Sequence, residues 1–235
     1  MNQPKVLVGA PVSDMHEYCF DEFLDGIKSF TYKNYDILLI ENSEKDDFYE
    51  KIKNIGIEVL RLKGIKKIRE KVMTAHNMLR ERALEKGYDY LFILDQDTIP
   101  TEDCIERFIK HKKDVVSGLY FSDVKMPDGN VELVPLAYVL INEDKGEMRH
   151  LNEDEIWQDG LIKIVSCGAG CMFISRKVLE KIKFRYEKDK EAWDDRFFGM
   201  DVFKAGFEMY LDNTVKCKHL FLNRPWKYKD LKEKL

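Results

Sequence analysis

The sequence lacks any apolar run long enough to cross a membrane. No stretch approaches about 18 consecutive apolar residues, which is the length that a membrane-spanning helix needs. The first residues show no signal-peptide pattern, because they run straight into an apolar segment at Val6. We therefore expect a cytoplasmic protein.

Cysteines are few, odd in number and scattered. The five are Cys19, Cys104, Cys167, Cys171 and Cys217. This pattern predicts free thiols in a reducing compartment rather than a disulfide framework. The single close pair, Cys167 and Cys171, does not have zinc-ribbon spacing and has no second pair to complete a site, so we expect no structural zinc.

A strong charge of one sign is also absent. The chain has 39 basic and 43 acidic residues, for a net charge of −4. This balance argues against a nucleic-acid-binding protein that relies on a broad positive field. The 235 residues are 44% hydrophobic and 12% aromatic, which is enough for the substantial core of a moderate-sized domain.

Apolar strands alternate with helical patterns in the first half of the chain, which is typical of parallel βαβ units. The predicted strands here cover 5–10, 35–40, 57–62 and 88–94, and the predicted helices cover 17–29 and 68–83. The second half reads as strands at 115–120, 131–141, 162–166 and 171–175, an acidic loop at 142–160, and helices at 102–112, 176–182 and 197–205. We predict one α/β domain with a mostly parallel central sheet, flanking helices and a smaller antiparallel part.

Two carboxylates follow the predicted strand at 88–94. They belong to the triplet Asp95, Gln96 and Asp97, and Pro100 prevents a central strand from continuing. The carboxyl ends of strands in open α/β sheets are where ligands bind. Close carboxylates repel each other unless they share a positive partner, and a divalent cation that carries a diphosphate would serve. The alternative is a polar turn after a strand.

The helix at 68–83 carries a basic face. Arg69, His76 and Arg80 are seven and four residues apart, so they share one side of the helix. One interpretation is a solvated basic surface. The other is that one or two of these side chains, with Arg69 and His76 as our candidates, reach the phosphates of a bound donor.

The order of motifs resembles the GT-A glycosyltransferases, and in particular their family-2-like members, over about residues 5–220. The matching segments are the acidic triplet 95–97, the strand at 114–120, the glycine-containing segment 166–176, the acidic pair Asp194 and Asp195 ahead of Gly206, and the segment 212–219 that ends in His219. The resemblance implies a single GT-A domain over 1–220, with a nucleotide-sugar half at 1–112 and an acceptor half at 113–220. It also implies transfer of one sugar from a nucleotide-diphosphate sugar to an acceptor hydroxyl.

The resemblance also implies a divalent cation, Mn²⁺ or Mg²⁺. Asp97 would be a direct ligand, and Asp95 would hold the ion through water or contact the ribose. His219 could complete the shell, since imidazole suits Mn²⁺. On its own, His219 would be read as an ordinary, partly buried histidine.

A carboxylate that takes the proton of the acceptor hydroxyl would make the reaction inverting. Asp195 occupies the aspartate position of the matched motif, while Asp194 stands where the family usually has Glu, so the choice between them stays open. Both residues also suit the start of a helix. Asp201, six residues further on, is a weaker candidate.

Further donor contacts are implied at four places. Pro11, Val12 and Ser13 would form a wall around the nucleotide base, Glu41 could accept from a ribose hydroxyl or a base N–H, Gln96 lies within the acidic triplet, and Gly168 and Gly170 would let the backbone approach the sugar. The alternative for the two glycines is a tight turn that needs positive φ. Glu41 is a departure, because the family often has Asp-Asp-Gly-Ser at this position.

The acceptor is open at this stage, and a glycan, a lipid-linked or a small-molecule acceptor would all suit. Tyr120 and Trp157 could stack on a sugar face. The basic tail at 221–235 could touch a membrane surface or form a solvated helix.

The Gln-x-x-Arg-Trp motif of processive synthases is missing, so we expect single transfer. A sugar-phosphate nucleotidyltransferase and a non-catalytic nucleotide-sugar-binding protein are the alternatives; the first would need a glycine-rich, basic loop that the chain lacks after Gly9. The sequence carries no sign of oligomeric state.

Overall fold

The computed structural model describes residues 3–126, 128–158 and 160–220. Its first half consists of four parallel strands joined by helices. The strands are β1 (Val6–Val12), β2 (Tyr35–Glu41), β3 (Glu58–Arg61) and β4 (Tyr90–Leu94). The helices between them are α1 (Glu17–Lys28), α2 (Asp47–Asn54) and α3 (Ile68–Glu85), and a short 3-10 turn at Asp14–His16 precedes α1.

The second half begins with a two-residue strand and continues with shorter elements. Its strands are β5 (Thr98–Ile99), β6 (Val115–Leu119), β7 (Phe121–Lys125), β8 (Val131–Pro135), β9 (Ala137–Asn142), β10 (Glu147–His150), β11 (Leu161–Ile164), β12 (Ser166–Cys167), β13 (Cys171–Ser175), β14 (Met209–Lys216) and β15 (Lys218–His219). Its helices are α4 (Cys104–His111), α5 (Glu153–Ile156), α6 (Arg176–Lys181) and α7 (Asp194–Lys204).

Eight strands form the main sheet, in the order β11-β14-β6-β13-β4-β1-β2-β3. Two of them, β13 and β11, run antiparallel to their neighbours, and the other six share one direction. The predicted α/β fold with a mostly parallel sheet is therefore confirmed. β1 lies between β2 and β4, so the chain order reverses there and the carboxyl ends of these strands border a crevice.

Side chains alternate between the two faces of the main sheet, and each face has its own core. One layer packs α3 on the sheet through residues such as Leu79 and Leu91. The other packs α1 and α4 on the opposite face, with Phe20, Phe92 and Phe108 among its buried rings. This two-sided burial explains why the strands read as almost continuous apolar runs.

The antiparallel part differs in detail from the prediction. The predicted strand at 131–141 is broken at Leu136, because β8 forms a hairpin with β7 whereas β9 joins β10 and β12 in a separate three-stranded sheet. The predicted acidic loop at 142–160 contains β10 and α5. A capping box between Asn152 and Glu155 starts α5, so part of this acidity serves helix initiation.

Two further observations concern the ends of the chain and its helices. Among the residues that the structure describes, no helix combines the length and apolar character that crossing a membrane requires. The tail at 221–235, for which membrane contact was one interpretation, lies outside the described residues.

Candidate active site

The acidic triplet forms the turn that leaves β4. Gln96 is buried at its centre, where its Oε1 accepts from Ser13 N at 2.8 Å and its Nε2 donates to His16 O at 3.0 Å. This side chain ties the turn after β1 to the turn after β4. Its amide is therefore bound to protein backbone on both sides, and it contributes to the site by fixing the crevice between the two strands.

Asp97 and His219 are brought together by a strand pair that joins distant parts of the chain. β15 pairs with β5, and His219 lies opposite Thr98. His219 Nδ1 lies 2.6 Å from Phe121 O, which can only accept, so Nδ1 carries the proton and Nε2 faces Asp97 Oδ1 at 3.4 Å. This backbone anchor is the support that metal-binding histidines commonly have.

The electrostatics of the triplet differ between its two carboxylates. Burial alone would raise the pKa of Asp97, but its hydrogen bond to His219 and the charges of His219 and His16 bring this pKa below its usual value. Burial, followed by the charge of Asp97, raises the pKa of Asp95 to about 6. The triplet is thus a place where negative charge is crowded and a cation would be stabilised.

His16 is a site residue that the sequence analysis missed. Its Nε2 lies 4.0 Å from Asp97 Oδ2, and its side chain is partly exposed. No motif marks this histidine, because it reaches Asp97 through the turn between β1 and α1. Within the described residues, no three His, Cys, Asp or Glu side chains converge in a complete metal-binding group.

Asp194 and Asp195 open α7, three residues before the predicted helix start. Asp194 Oδ2 lies 2.7 Å from His76 Nδ1, and the two side chains are 2% and 1% exposed. Asp195 is partly exposed, and its Oδ1 accepts from Arg196 N at 2.6 Å. Burial of the carboxyl group and then the charge of Asp194 raise the pKa of Asp195 to about 7. Trp193, rather than an aspartate, holds the N-cap position.

Gly168 and Gly170 lie between β12 and β13, and neither has the positive φ that a tight turn would need. A Cβ at Gly168 would come within 2.1 Å of the Tyr120 hydroxyl, and one at Gly170 within 2.8 Å of the same atom and 3.0 Å of Asp95 Oδ2. The hydroxyl also accepts from Gly170 N at 2.9 Å. The glycines are therefore required by close packing around Tyr120.

Two aromatic residues that were candidates for stacking on a sugar are packed in the protein. Tyr120 is 2% exposed and lies edge-on to His219, with ring centroids 5.5 Å apart. Trp157 is partly buried and stacks on Phe121 at 6.1 Å. The burial of Tyr120 argues against stacking on a ligand and makes it a support beneath the site.

The expected base-binding residues lie at the carboxyl ends of β1 and β2. Pro11 and Ser13 are partly exposed, and Val12 is buried opposite Glu41. The carboxylate of Glu41 is fully buried, where it forms an ion pair with Arg61 and accepts from Ser43 N at 2.8 Å. This burial argues against the expected contact of Glu41 with a ribose or a base.

The basic face of α3 divides between different environments. Arg69 reaches across to donate to Lys190 O, close to α7. Arg80 is buried and donates from Nε to Ile182 O at 2.8 Å. His76 lies inside the protein against Asp194, so its burial argues against the expected contact with donor phosphates. Of the three side chains, only Arg69 lies at the surface.

The doubly flanked sheet, the crevice beside β1 and the acidic turn after β4 define a GT-A-type glycosyltransferase. The family described as Glycosyl transferase family 2 matches residues 17–183, which is more than half of the chain. The chain belongs to this family and is a glycosyltransferase. A search of curated proteins finds no match to it.

The solved structures that resemble this one include the following three. GalNAc-T7 with UDP, GalNAc and Mn²⁺ is 13% identical, with a TM-score of 0.65 over 96% of this chain and 45% of that one. The mannosyltransferase PcManGT from Pyrobaculum calidifontis, in complex with GDP-Man and Mn²⁺, is 16% identical, with a TM-score of 0.61 over 94% of this chain and 59% of that one. A197 from STIV is 20% identical, with a TM-score of 0.51 over 92% of this chain and 86% of that one. At these identities the likeness concerns the fold.

Proposed function

We propose that this glycosyltransferase moves one sugar from a nucleotide-diphosphate sugar to an acceptor hydroxyl, with Asp195 as the general base. The observation that carries the proposal is that the two carboxylates at the start of α7 have different partners. Asp194 is bound to His76 in the interior, whereas the carboxylate of Asp195 binds no other side chain among the described residues. Asp195 is therefore the member of the pair that can accept a proton from a substrate.

The residues of the acidic turn fit a divalent cation. Asp97 Oδ1 and His219 Nε2 already face each other, and Asp95 lies close enough for the charge of Asp97 to raise its pKa. Two carboxylates and an imidazole suit Mn²⁺ or Mg²⁺, and a bound diphosphate would supply further oxygen ligands to a group that the described side chains leave incomplete. When bound, the ion would neutralise the charge of the leaving diphosphate.

The crevice between β1 and β4 is the proposed donor site. Pro11, Val12 and Ser13 would border the nucleotide base, and Gln96 would hold this wall against the acidic turn. Gly168 and Gly170 would let the backbone pass close to the sugar, in addition to leaving room for the Tyr120 hydroxyl.

Inversion follows from the proposed base. A carboxylate that takes the proton of the acceptor hydroxyl permits direct attack on the sugar carbon, opposite the leaving diphosphate. The pKa of Asp195, about 7, suits this role near neutral pH. A glycan, a lipid-linked or a small-molecule hydroxyl could approach this carboxylate. Contact of the tail at 221–235 with a membrane stays a prediction.

Thermal stabilisation tests the donor site. We would measure the melting temperature with UDP-, GDP-, dTDP- and CMP-sugars, each with Mn²⁺ and with EDTA. UDP and GDP come first because the two similar Mn²⁺ complexes hold UDP and GDP-Man. A ligand at about 100 times its Kd stabilises the native state by about 2.7 kcal/mol, so a true donor gives a clear, metal-dependent shift.

The matched variants make this test specific. Asp97→Ala should abolish the metal-dependent shift, whereas Asp144→Ala, at an exposed position in the turn between β9 and β10, should leave it unchanged. A full shift in Asp97→Ala would show that the ion is not held at the acidic turn. No shift with any donor would count against the donor site as a whole.

A further inference from the structure

A buried pair of charged side chains lies directly behind the proposed base. His76, in the middle of α3, and Asp194, the first residue of α7, are 118 positions apart in the sequence, yet their Nδ1 and Oδ2 atoms lie 2.7 Å apart. The side chains are 1% and 2% exposed. The Phe184 ring packs on the His76 ring at 4.9 Å and stacks on Phe198 of α7 at 4.3 Å. Phe184 therefore packs against both helices, on His76 of α3 and on Phe198 of α7, beside the contact between His76 and Asp194.

Packing alone gives no reason for this pair. Taking a carboxylate out of water is costly, and apolar residues of similar volume often do as well or better in such places. The cost here is not fully offset, because His76 Nε2 is buried without a hydrogen-bond partner in the described structure. A buried polar atom without a partner lowers the stability of the fold. The pair thus lowers the stability of the fold, but it fixes the orientation of the Asp194 carboxylate.

That direction matters because of the residue that follows. Successive side chains on a helix point about 100° apart, so an Asp194 that is held toward α3 turns Asp195 away from the interior. The backbone of Asp195 is held as well, since Ser166 Oγ donates to Asp195 O at 3.4 Å. Burial would lower the pKa of His76, but the charge and the hydrogen bond of Asp194 raise it overall, which favours the protonated imidazole beside this carboxylate.

We propose that His76 is a positioning residue for sugar transfer: it anchors Asp194, fixes the first turn of α7 and thereby aims the carboxylate of Asp195. This inference rests on the proposed function, because it needs Asp195 to be the base. It gives His76 a role in the chemical step rather than in binding the donor phosphates.

The test replaces His76 by three side chains that keep different parts of its contact with Asp194. His76→Asn keeps an N–H close to the place of Nδ1, His76→Gln moves it toward the place of Nε2, and His76→Phe keeps only the ring volume. We would measure the steady-state release of nucleoside diphosphate over a range of concentrations of the donor found by thermal stabilisation, with water or a sugar as acceptor. Donor binding would be followed by the same thermal shift.

We expect His76→Phe and His76→Gln to lower kcat by about 100-fold with an unchanged KM for the donor, since a displacement of about 1 Å at a reacting group has this effect. His76→Asn should stay within about fivefold of the wild type. Tyr88→Phe is the stability control, because it removes the hydrogen bond from the Tyr88 hydroxyl to Asp36 at the amino end of the sheet, opposite to the proposed site. It should lower the melting temperature and leave kcat unchanged.

A double variant asks whether His76 acts through Asp194. If it does, His76→Phe in an Asp194→Asn background should lower kcat no further than Asp194→Asn alone, whereas independent effects would multiply. The inference would be overturned if the effects of the two substitutions on kcat multiplied. It would also be overturned if the His76 variants raised the KM for the donor and left kcat unchanged. Should His76→Phe not fold, His76→Gln and the double variant made with it carry the same comparison.

Asp195→Asn separates this inference from the proposed function. If Asp195→Asn retains transfer, Asp195 is not the base and the proposed function fails. If Asp195→Asn is inactive while His76→Phe and His76→Gln keep the wild-type kcat, the proposed function stands and the positioning role of His76 is wrong.

Discussion

Asp195 is the residue in which burial and reactivity are most directly connected. Burial of its carboxyl group raises its pKa first, and the charge of Asp194 raises it further, to about 7. A base with a pKa near the working pH combines a populated carboxylate with strong affinity for the proton. A fully exposed aspartate, with a pKa near 4, would be a weaker proton acceptor.

The activity should therefore depend on pH through Asp195. Only the carboxylate can accept a proton, so kcat/KM should fall about tenfold for each pH unit below about 7 and level off above it. The measurement is a profile of kcat/KM for diphosphate release between about pH 5 and about pH 9, at saturating metal. Asp195→Asn, which cannot titrate, serves as the control. A flat profile across the acidic half of this range would count against Asp195.

Tyr120 shows how one side chain can determine its neighbours at the residue scale. Its hydroxyl lies where a Cβ of Gly168 or Gly170 would have to be, and it binds Gly170 N. The same ring packs edge-on to His219. The glycine pattern of this segment thus reflects a buried tyrosine below the acidic turn, and not the turn geometry that glycine pairs often indicate.

At the scale of elements, two of the shortest strands assemble the acidic site. β5 and β15 have two residues each, and their pairing places the end of the described chain beside the turn after β4. Two further contacts secure it, because Leu220 N donates to Asp97 O at 2.6 Å and Tyr18 in α1 donates from its hydroxyl to Leu220 O at 2.7 Å. The proposed ligand His219 is thus held against the proposed ligand Asp97.

Removing His219 should weaken metal binding more than it weakens the fold. In His219→Ala we expect the Mn²⁺ concentration for half-maximal donor stabilisation to rise at least about tenfold, since metal affinity responds on this scale even to the loss of supporting groups. Titration of the melting temperature with Mn²⁺ at fixed donor measures this. His111→Ala is the matched control, because His111 also binds an aspartate, Asp212, at 2.7 Å. An equal metal requirement in both variants would exclude His219 as a ligand.

The start of α7 is the second element that matters for the site. Trp193 takes the N-cap position in extended conformation, so both aspartates fall in the first turn, where negative charge is favourable. The structural benefit and the proposed chemistry therefore reside in the same residues. The sequence left the choice between Asp194 and Asp195 open because Asp194 stands where the family usually has Glu.

At the scale of the whole molecule, one sheet separates two apolar layers. Phe92 of β4 is fully buried in one layer, within 6 Å of the ring centroids of Phe30, Phe108 and Phe173. Its neighbour Ile93 is fully buried in the other layer. Because β4 also carries the acidic turn, the strand that places the carboxylates is anchored from both sides.

Truncating either layer should weaken the whole domain. We expect Phe92→Ala to cost about 3–5 kcal/mol and Ile93→Ala about 2–5 kcal/mol of unfolding free energy, because each leaves a cavity in a close-packed layer. The measurement is urea unfolding followed by circular dichroism and by fluorescence. Val131→Ala, at an exposed position, should stay within about 0.5 kcal/mol. A transition that shifts for one probe and not for the other would indicate that the layers unfold separately.

The sequence allowed the βαβ half to be predicted almost element by element, because strands buried on both faces and a helix such as α3 have strong periodic patterns. It also allowed the prediction that Asp97 and His219 meet, through the resemblance to GT-A enzymes. The antiparallel half was harder: the break at Leu136 and the strand β10 depend on pairing partners that local pattern does not reveal. His16 was missed for a similar reason, since nothing in its neighbours marks it as close to Asp97.

What the sequence determined by itself is the class of molecule: a chain whose apolar strands need helices on both faces, and whose carboxylates stand at strand ends and at a helix start. What only the tertiary structure decided is how each polar side chain is used. The sequence left the choice between Asp194 and Asp195 open, and the two differ in the structure because His76 lies against Asp194 and not against Asp195. The physical reason is that burial and partners set the orientation and pKa of a carboxylate, and these come from residues far away along the chain.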